Sequence, residues 1–260
     1  MNQQLLRGKI ALVTGGNSGI GLGAARRLVE EGAFVYITGR RQQALDQAAD
    51  ILGENVRAVQ ADVTRKEDMQ RVADLIRQQH GRLDIVFANA GGGGFIALEE
   101  ITEQDFDRNF AVDVKGVLFT VQAALPLMGK GGSIVLNTSI TASMGLPRFS
   151  VYAAAKAALQ SFARSWANEL KERGIRVNAI APGVVPTEGY GKDMGWSEDT
   201  VQAYIGRVSA EIPAGRVGTV EDIGNALVYL SSEMGSFING FELTIDGGMT
   251  QVYQGRNGAE

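Results

Sequence analysis

Tyr152 and Lys156 stand four positions apart in the stretch VYAAAKAAL, whose other members are small or apolar. In a helix such positions share one face, one turn apart. A phenol beside an ammonium is a pairing with a chemical use. A free tyrosine ionises near ~10, and bringing it toward neutrality requires about 4 kcal/mol. A lysine ammonium at ~4 Å supplies about 1 kcal/mol in water but about 4 kcal/mol at an effective dielectric near 20. The pair is therefore an acid/base device only in a water-poor site; in open solvent it is an ordinary amphipathic pair. Alanines at 153, 154, 155, 157 and 158 let such a helix pack closely against neighbours. Before it, a β-branched run ends in Asn137-Thr138-Ser139. A hydroxyl at the carboxyl edge of a strand faces the crevice where open α/β sheets bind ligands. Ser139 can there hold a carbonyl oxygen alongside the phenol.

Positioning these groups requires strands whose carboxyl ends converge. Short β-branched runs at 9–14, 34–38, 56–60, 83–88, 133–137, 175–180 and 241–245 read as strands. Helical patterns fill 19–31, 42–52, 66–79, 103–128 (with room for an internal break), 151–173 and 220–232. Capping signatures at Thr64 with Glu67, Thr102 with Asp105 and Thr219 with Asp222 mark helix starts. Strands separated by helices demand right-handed parallel crossovers. The expected class is therefore α/β, a doubly wound parallel sheet with helices on both faces. No linker or repeat divides the chain, which predicts a single domain over 1–260. The exception to the rhythm is 184–218, rich in glycine and without a strand. Apart from one short helix capped by Ser197, it reads as a substrate lid. Tyr190, Met194 and Trp196 are its candidate walls, and about 251–260 form a polar tail.

The first strand runs into TGGNSGIGLGAA. Gly15, Gly19 and Gly21, with Asn17, Ser18 and Ile20 between them, form a Gly-x-x-x-Gly-x-Gly turn that opens a helix. Such glycines serve a tight turn, a close backbone approach to a pyrophosphate and a close helix–strand contact. The helix N-terminus presents free N–H groups and a positive dipole end to the phosphates. A dinucleotide is the implied ligand. The second strand then ends in ITGRRQQ, where an NAD site would carry an acid. Gly39 is small, and Arg40 and Arg41 are cationic. A guanidinium donates paired hydrogen bonds to a ribose 2′-phosphate that a carboxylate would repel. NADP(H) is the favoured cofactor and NAD(H) the second option; otherwise these are solvated arginines at a helix start. Asp62 and Val63, just past the third strand, suit an adenine pocket, or Asp62 caps the next helix. Asn89, Ala90 and Gly91, after the fourth strand, can pass beneath the cofactor ribose.

Composition narrows the field. A net charge of -4, a pI of about 5.3 and no basic block argue against a nucleic-acid partner. With no cysteine, disulfides, thiolate zinc sites and a cysteine nucleophile are excluded. His80 is the one histidine. A multi-histidine metal centre is thus impossible, and no metal is expected. In RQQHG, His80 reads as a helix-end residue favoured by the dipole. The N-terminus lacks a charged-then-apolar leader pattern, and no apolar run approaches the ~18 residues of a membrane span. A cytoplasmic protein without membrane association is the expectation.

TGGNSGIG (14–21), ANAG (88–91), Ser139, YAAAK (152–156), RVNAIAPG (176–183) and IDGG (245–248) follow one another in a familiar order. In these motifs and their spacing the chain resembles the short-chain dehydrogenase/reductase family, from near residue 9 to near residue 250. The resemblance implies a seven-stranded Rossmann sheet, a nicotinamide cofactor and a homotetramer. It carries over Tyr152 as acid/base, Ser139 as the donor that orients substrate, and Lys156 as the ribose-binding residue that lowers the phenol's pKa. Pro182, Gly183, Val185 and Thr187 match the segment that holds the nicotinamide carboxamide. Gly39-Arg40 resembles the NADP-preferring branch. One departure stands out. The family usually has asparagine in an Asn-x-Lys-Gly segment, and this chain has Asp113-Val114-Lys115-Gly116. In relatives that residue helps hold a water linking the lysine to solvent, partly through its main-chain carbonyl. Aspartate keeps the carbonyl and the size but loses the amide donors. A weakened or rewired proton relay in an active protein is expected.

The expected activity is reversible hydride transfer between NADP(H) and a small carbonyl compound or secondary alcohol. Two other functions share parts of the pattern. An NADP-binding sensor or scaffold without turnover would need no Ser139, Tyr152 and Lys156 together. A nicotinamide-recycling epimerase or dehydratase shares Tyr-x-x-x-Lys but usually carries a larger C-terminal substrate domain. The identity of the substrate is not legible.

Overall fold

IALVT shows no alternation of polar and apolar side chains because the strand it forms is covered on both faces. Ile10 and Leu12 enter one hydrophobic cluster and Ala11 and Val13 another. This is the signature of a parallel sheet between two helical layers. A computed structural model describes residues 4–93, 95–190 and 195–252. Met194 and most of the polar tail lie outside the described residues.

The strands are β1 (Ile10–Thr14), β2 (Phe34–Gly39), β3 (Val56–Gln60), β4 (Ile85–Ala88), β5 (Ser133–Asn137), β6 (Arg176–Pro182) and β7 (Glu242–Ile245). The principal helices are α1 (Gly19–Glu30), α2 (Gln42–Leu52), α3 (Lys66–His80), α4 (Glu103–Phe110), α5 (Gly116–Ala124), α6 (Ser150–Glu169), α7 (Glu198–Glu211) and α8 (Val220–Ser231). All strand pairs are parallel, in the order β3-β2-β1-β4-β5-β6-β7. This is a doubly wound Rossmann sheet. Side chains of α1, α2 and α8 pack one face, and those of α3, α5 and α6 the other. From β1 the chain winds outward through β2 and β3, then returns to β4 on the opposite side. The crevice between β1 and β4, at their carboxyl ends, is the switch point where such sheets take ligands.

The internal break allowed for in 103–128 is a π segment, Ala111–Lys115. It keeps α4 and α5 in one continuous run and adds a residue to one turn, which buries Asp113 completely. That run, Glu103–Leu127, is long and apolar enough by length and composition to cross a membrane. It is not an uninterrupted apolar run, because Asp113 and Lys115 fall within it. Within the fold, 44% of its most apolar window is buried, with Val117, Val121 and Ala124 in the same cluster as Val72 and Ile76 of α3.

Thr102 and Thr219 form the expected capping boxes with Asp105 and Asp222, and Ser197 caps α7. Thr64 does not cap α3. The Asp62 carboxylate accepts its N–H (2.9 Å) and its hydroxyl (2.8 Å), and the helix starts one residue later behind Arg65. His80 closes α3 before Gly81, its ring 4.8 Å from that of Phe34.

At the start of α8, Asp222 accepts the Thr219 N–H at 2.8 Å and two bonds from Arg216 at 2.7 and 2.9 Å. The Arg216 bonds, followed by those from Thr219, hold the Asp222 carboxyl down at about 2. Because the folded value is depressed, this stabilisation is full above the ordinary carboxylate range and is lost as pH falls through about 2. Thr219→Ala is expected to cost about 1 kcal/mol in urea unfolding at pH 7. The deficit of Asp222→Asn relative to wild type should narrow as the pH is lowered from about 4 toward 2.

Candidate active site

The carboxyl ends of the central strands open into one cleft of about 650 Å³. Its wall follows the chain from motif to motif. Gly15 and the segment Asn17, Ser18, Gly19, Ile20 and Gly21 come from the turn after β1. Gly39 and Arg40 come from the end of β2, Asp62 and Val63 from beyond β3, and Asn89, Ala90 and Gly91 from beyond β4. Ser139, Tyr152 and Lys156 stand at the far end, with Pro182, Gly183, Val185 and Thr187. Asp113 lies behind this wall and does not reach its surface.

At the glycine turn, Ser18 precedes α1 in extended conformation and makes no side-chain cap bond. The first N–H groups of α1 therefore have no side-chain acceptor among the described residues, as an anion site requires. A Cβ on Gly21 would overlap the Gly15 carbonyl oxygen and lie 2.6 Å from Asn89 Nδ2, so only glycine fits. Asn89 cross-links the strand ends. Its Nδ2 donates to the Thr14 carbonyl at 2.9 Å, and its Oδ1 accepts from Asn137 Nδ2 at 2.9 Å. Arg40 and Arg41 are exposed, and neither has a carboxylate partner among the described residues. Thr38 Oγ1, Asn137 Oδ1 and Thr141 Oγ1 are buried in residues that line the cleft and have no hydrogen-bond partner among the described residues. Buried polar groups are normally satisfied. Orphaned ones along a groove with an open helix N-terminus fit a polar, phosphate-bearing nucleotide.

Lys156 is only 3% exposed. Its Nζ donates to Asp113 Oδ1 at 2.9 Å and to the Asn137 carbonyl at 3.0 Å. It lies 5.4 Å from the centroid of the Tyr152 ring. Burial alone pulls the lysine pKa down, but the Asp113 charge, then Tyr152 and the Asp113 hydrogen bond, outweigh it and leave it raised. The ammonium is retained in a dry setting. The Tyr152 ring packs on the backbone at Gly93, where a Cβ would overlap it. Ser139 Oγ accepts the Thr141 N–H at 3.2 Å, and its own O–H has no acceptor among the described residues.

Beyond Tyr152 the wall is apolar and aromatic: Leu146, Phe149, Tyr190, Tyr204, Val208 and Met249. Burial first, and Tyr204 next, push the Tyr190 hydroxyl well above its ordinary value, so it stays a neutral donor. Val184, Val208 and Ile212 form a small core of their own with Tyr190 and Tyr204 against it. Trp196, expected in the wall, does not line the cleft. Its ring stands edge-on to Tyr204, centroids 5.2 Å apart. Gly93, Asn137 and Thr141 were not among the expected site residues, although Gly93 sits in the run of four glycines, 91–94, that begins with the last residue of ANAG. Met249 had no local signal, because it reaches the cleft only through the docking of β7.

A family model described as "Enoyl-(Acyl carrier protein) reductase" matches residues 15–250. "Oxidoreductase asL5" of Sarocladium schorii is 43% identical over 251 residues, 96% of this chain and 98% of that one. A hydroxynaphthalene reductase-like protein of Metarhizium majus is 36% identical, covering 94% of this chain and 95% of its own. A mutant short-chain dehydrogenase/reductase of Serratia marcescens superposes with a TM-score of 0.85 at 32% identity, covering 94% of this chain and 99% of that one. The fold and these matches define a class, Rossmann-type NAD(P)-dependent oxidoreductases that act on small molecules. The chain belongs to the short-chain dehydrogenase/reductase family.

Gly21→Ala is expected to weaken binding of the nicotinamide dinucleotide, NADPH or NADH, at least tenfold in calorimetric titration while leaving the circular dichroism spectrum unchanged. Wild-type affinity in that variant would mean that the turn tolerates a side chain and does not hold the phosphates.

Proposed function

We propose that the protein interconverts a carbonyl compound and a secondary alcohol with NADP(H), using Tyr152 as the acid/base. The carrying observation is the phenol of Tyr152 beside a buried Lys156 ammonium, in the cleft that the glycine turn also lines. When bound, the reduced cofactor supplies the hydride. The protein's own groups do the rest. Ser139 donates its O–H to the substrate oxygen and orients it. Tyr152 gives that oxygen a proton as charge develops there. Lys156 stabilises the phenolate left behind and holds the ribose hydroxyls.

The glycine turn cradles the pyrophosphate, and Asp62 and Val63 flank the adenine. Asn89, Ala90 and Gly91 run beneath the ribose, while Pro182, Gly183, Val185 and Thr187 hold the carboxamide. Arg40 favours the 2′-phosphate of NADP(H) over NAD(H), because β2 ends in Gly39 rather than an acid and no carboxylate among the described residues occupies the guanidinium. The chain works as one domain, with 184–218 closing over the substrate and excluding water. Phe237, Met234 and Phe241 are 103%, 60% and 53% exposed near the ends of α8 and β7. Such a patch supports assembly with further copies of this chain, and a homotetramer in the cytoplasm is the form proposed.

A screen of ketones and aldehydes, including bicyclic aromatic ones, with NADPH and NADH tests the activity. Tyr152→Phe should lower kcat by 10²–10⁴ with NADPH binding retained; a full rate in that variant would remove the phenol from the mechanism. Arg40→Asp should move the NADPH:NADH ratio of kcat/KM at least tenfold toward NADH, and an unchanged ratio would end the assignment of Arg40.

A further inference from the structure

We propose that Asp113 is a positioning residue that holds Lys156 in a neutral buried pair, so that the pair stabilises a Tyr152 phenolate less than a lone ammonium would. The inference rests on the proposed acid/base role of Tyr152.

The pair is built into the fold. Asp113 is 0% exposed and sits on the π segment, whose extra residue buries it behind the cleft. Its Oδ1 is 2.9 Å from Lys156 Nζ, and the Gly92 N–H reaches its two oxygens at 3.3 and 3.4 Å. Gly91 leaves the room. A Cβ there would overlap the Asp113 carboxylate and lie 3.0 Å from Lys156 Nζ. The carboxylate thus bonds the ammonium directly, in the place where the family's pattern has an amide.

The other charges nearby do not alter the balance. Segments 89–93 and 137–139 carry none. Tyr190 and Tyr204 are phenols, and Arg207 at the mouth pairs with Glu211 at 3.3 Å. Glu242 of β7 is bonded to Thr138 and to Gln160, and Arg148 lies over the Phe95 ring. Lys156 is therefore the cation that acts on the phenol, and Asp113 is its counter-ion. A phenolate is attracted by the ammonium and repelled by the carboxylate just behind it, so the net stabilisation is much less than a lone cation would give. A protonated phenol is what reduction needs, because it donates. Alcohol oxidation needs the phenolate, because it accepts.

The test is a titration of tyrosinate absorbance in the cofactor-free protein. The Tyr152 contribution is isolated by subtracting Tyr152→Phe in each background. Asp113→Asn should lower the Tyr152 midpoint by about one pH unit or more. It should also move the acid limb of kcat/KM for alcohol oxidation down equally. Asp113→Ser, which also removes the charge, should do the same if the asparagine variant folds poorly. An unmoved midpoint, or rates that fall uniformly at every pH, would each overturn the inference. The titration needs no turnover, so an inactive protein with the expected midpoints would sink the proposed function and spare the role of Asp113.

Discussion

A lysine ammonium that is 3% exposed has to find its partners inside the protein. Leaving such a charge unpaired costs about 3–5 kcal/mol, so its surroundings are constrained on every side. Here the Asp113 carboxylate and the Asn137 carbonyl meet the requirement, and much of the local architecture follows from it. The π segment delivers Asp113. β5 must end where the Asn137 carbonyl can accept. The loop after β4 must be stripped of side chains where it crosses between the two. Each of these devices is costly on its own account, and together they keep one positive charge dry beside a phenol.

The same strand ends that satisfy the lysine also shape the groove. Asn89 is bonded to the Thr14 backbone and to Asn137, so β1, β4 and β5 are tied together at the switch point. Pulling on one would disturb both the phosphate turn and the lysine's acceptor. The long apolar cluster beneath α3, α5 and α6 gives this edge a rigid base. The region after β6 rests on a separate and much smaller core around Val208 and Ile212.

Much of the fold was legible because parallel strands buried on both faces read as uninterrupted apolar runs, and because their crossover helices start at local signals. The boxes at Thr102 and Thr219 are closed by residues three positions on, so they are readable in sequence. At Thr64 the expectation failed because Asp62, two residues earlier, took its hydroxyl, and neighbouring acceptors compete in ways that spacing alone does not rank. The π segment was invisible as such, since an inserted residue in a helix leaves no compositional mark. Trp196 was misplaced because aromatic character in a loop says nothing about which side of it faces the cleft.

The sequence by itself determined the order of strands and helices, the glycine turn and the spacing of Tyr152 and Lys156. Those are local matters of backbone freedom and periodicity. Only the tertiary structure decided that Asp113, more than 40 positions from Lys156 in the chain, would be its direct partner. It alone set Met249 and Tyr204 in the same cleft wall as Phe149. A contact between distant segments depends on how packed helices rotate and slide on the sheet, and that is fixed by the volume of every buried side chain at once.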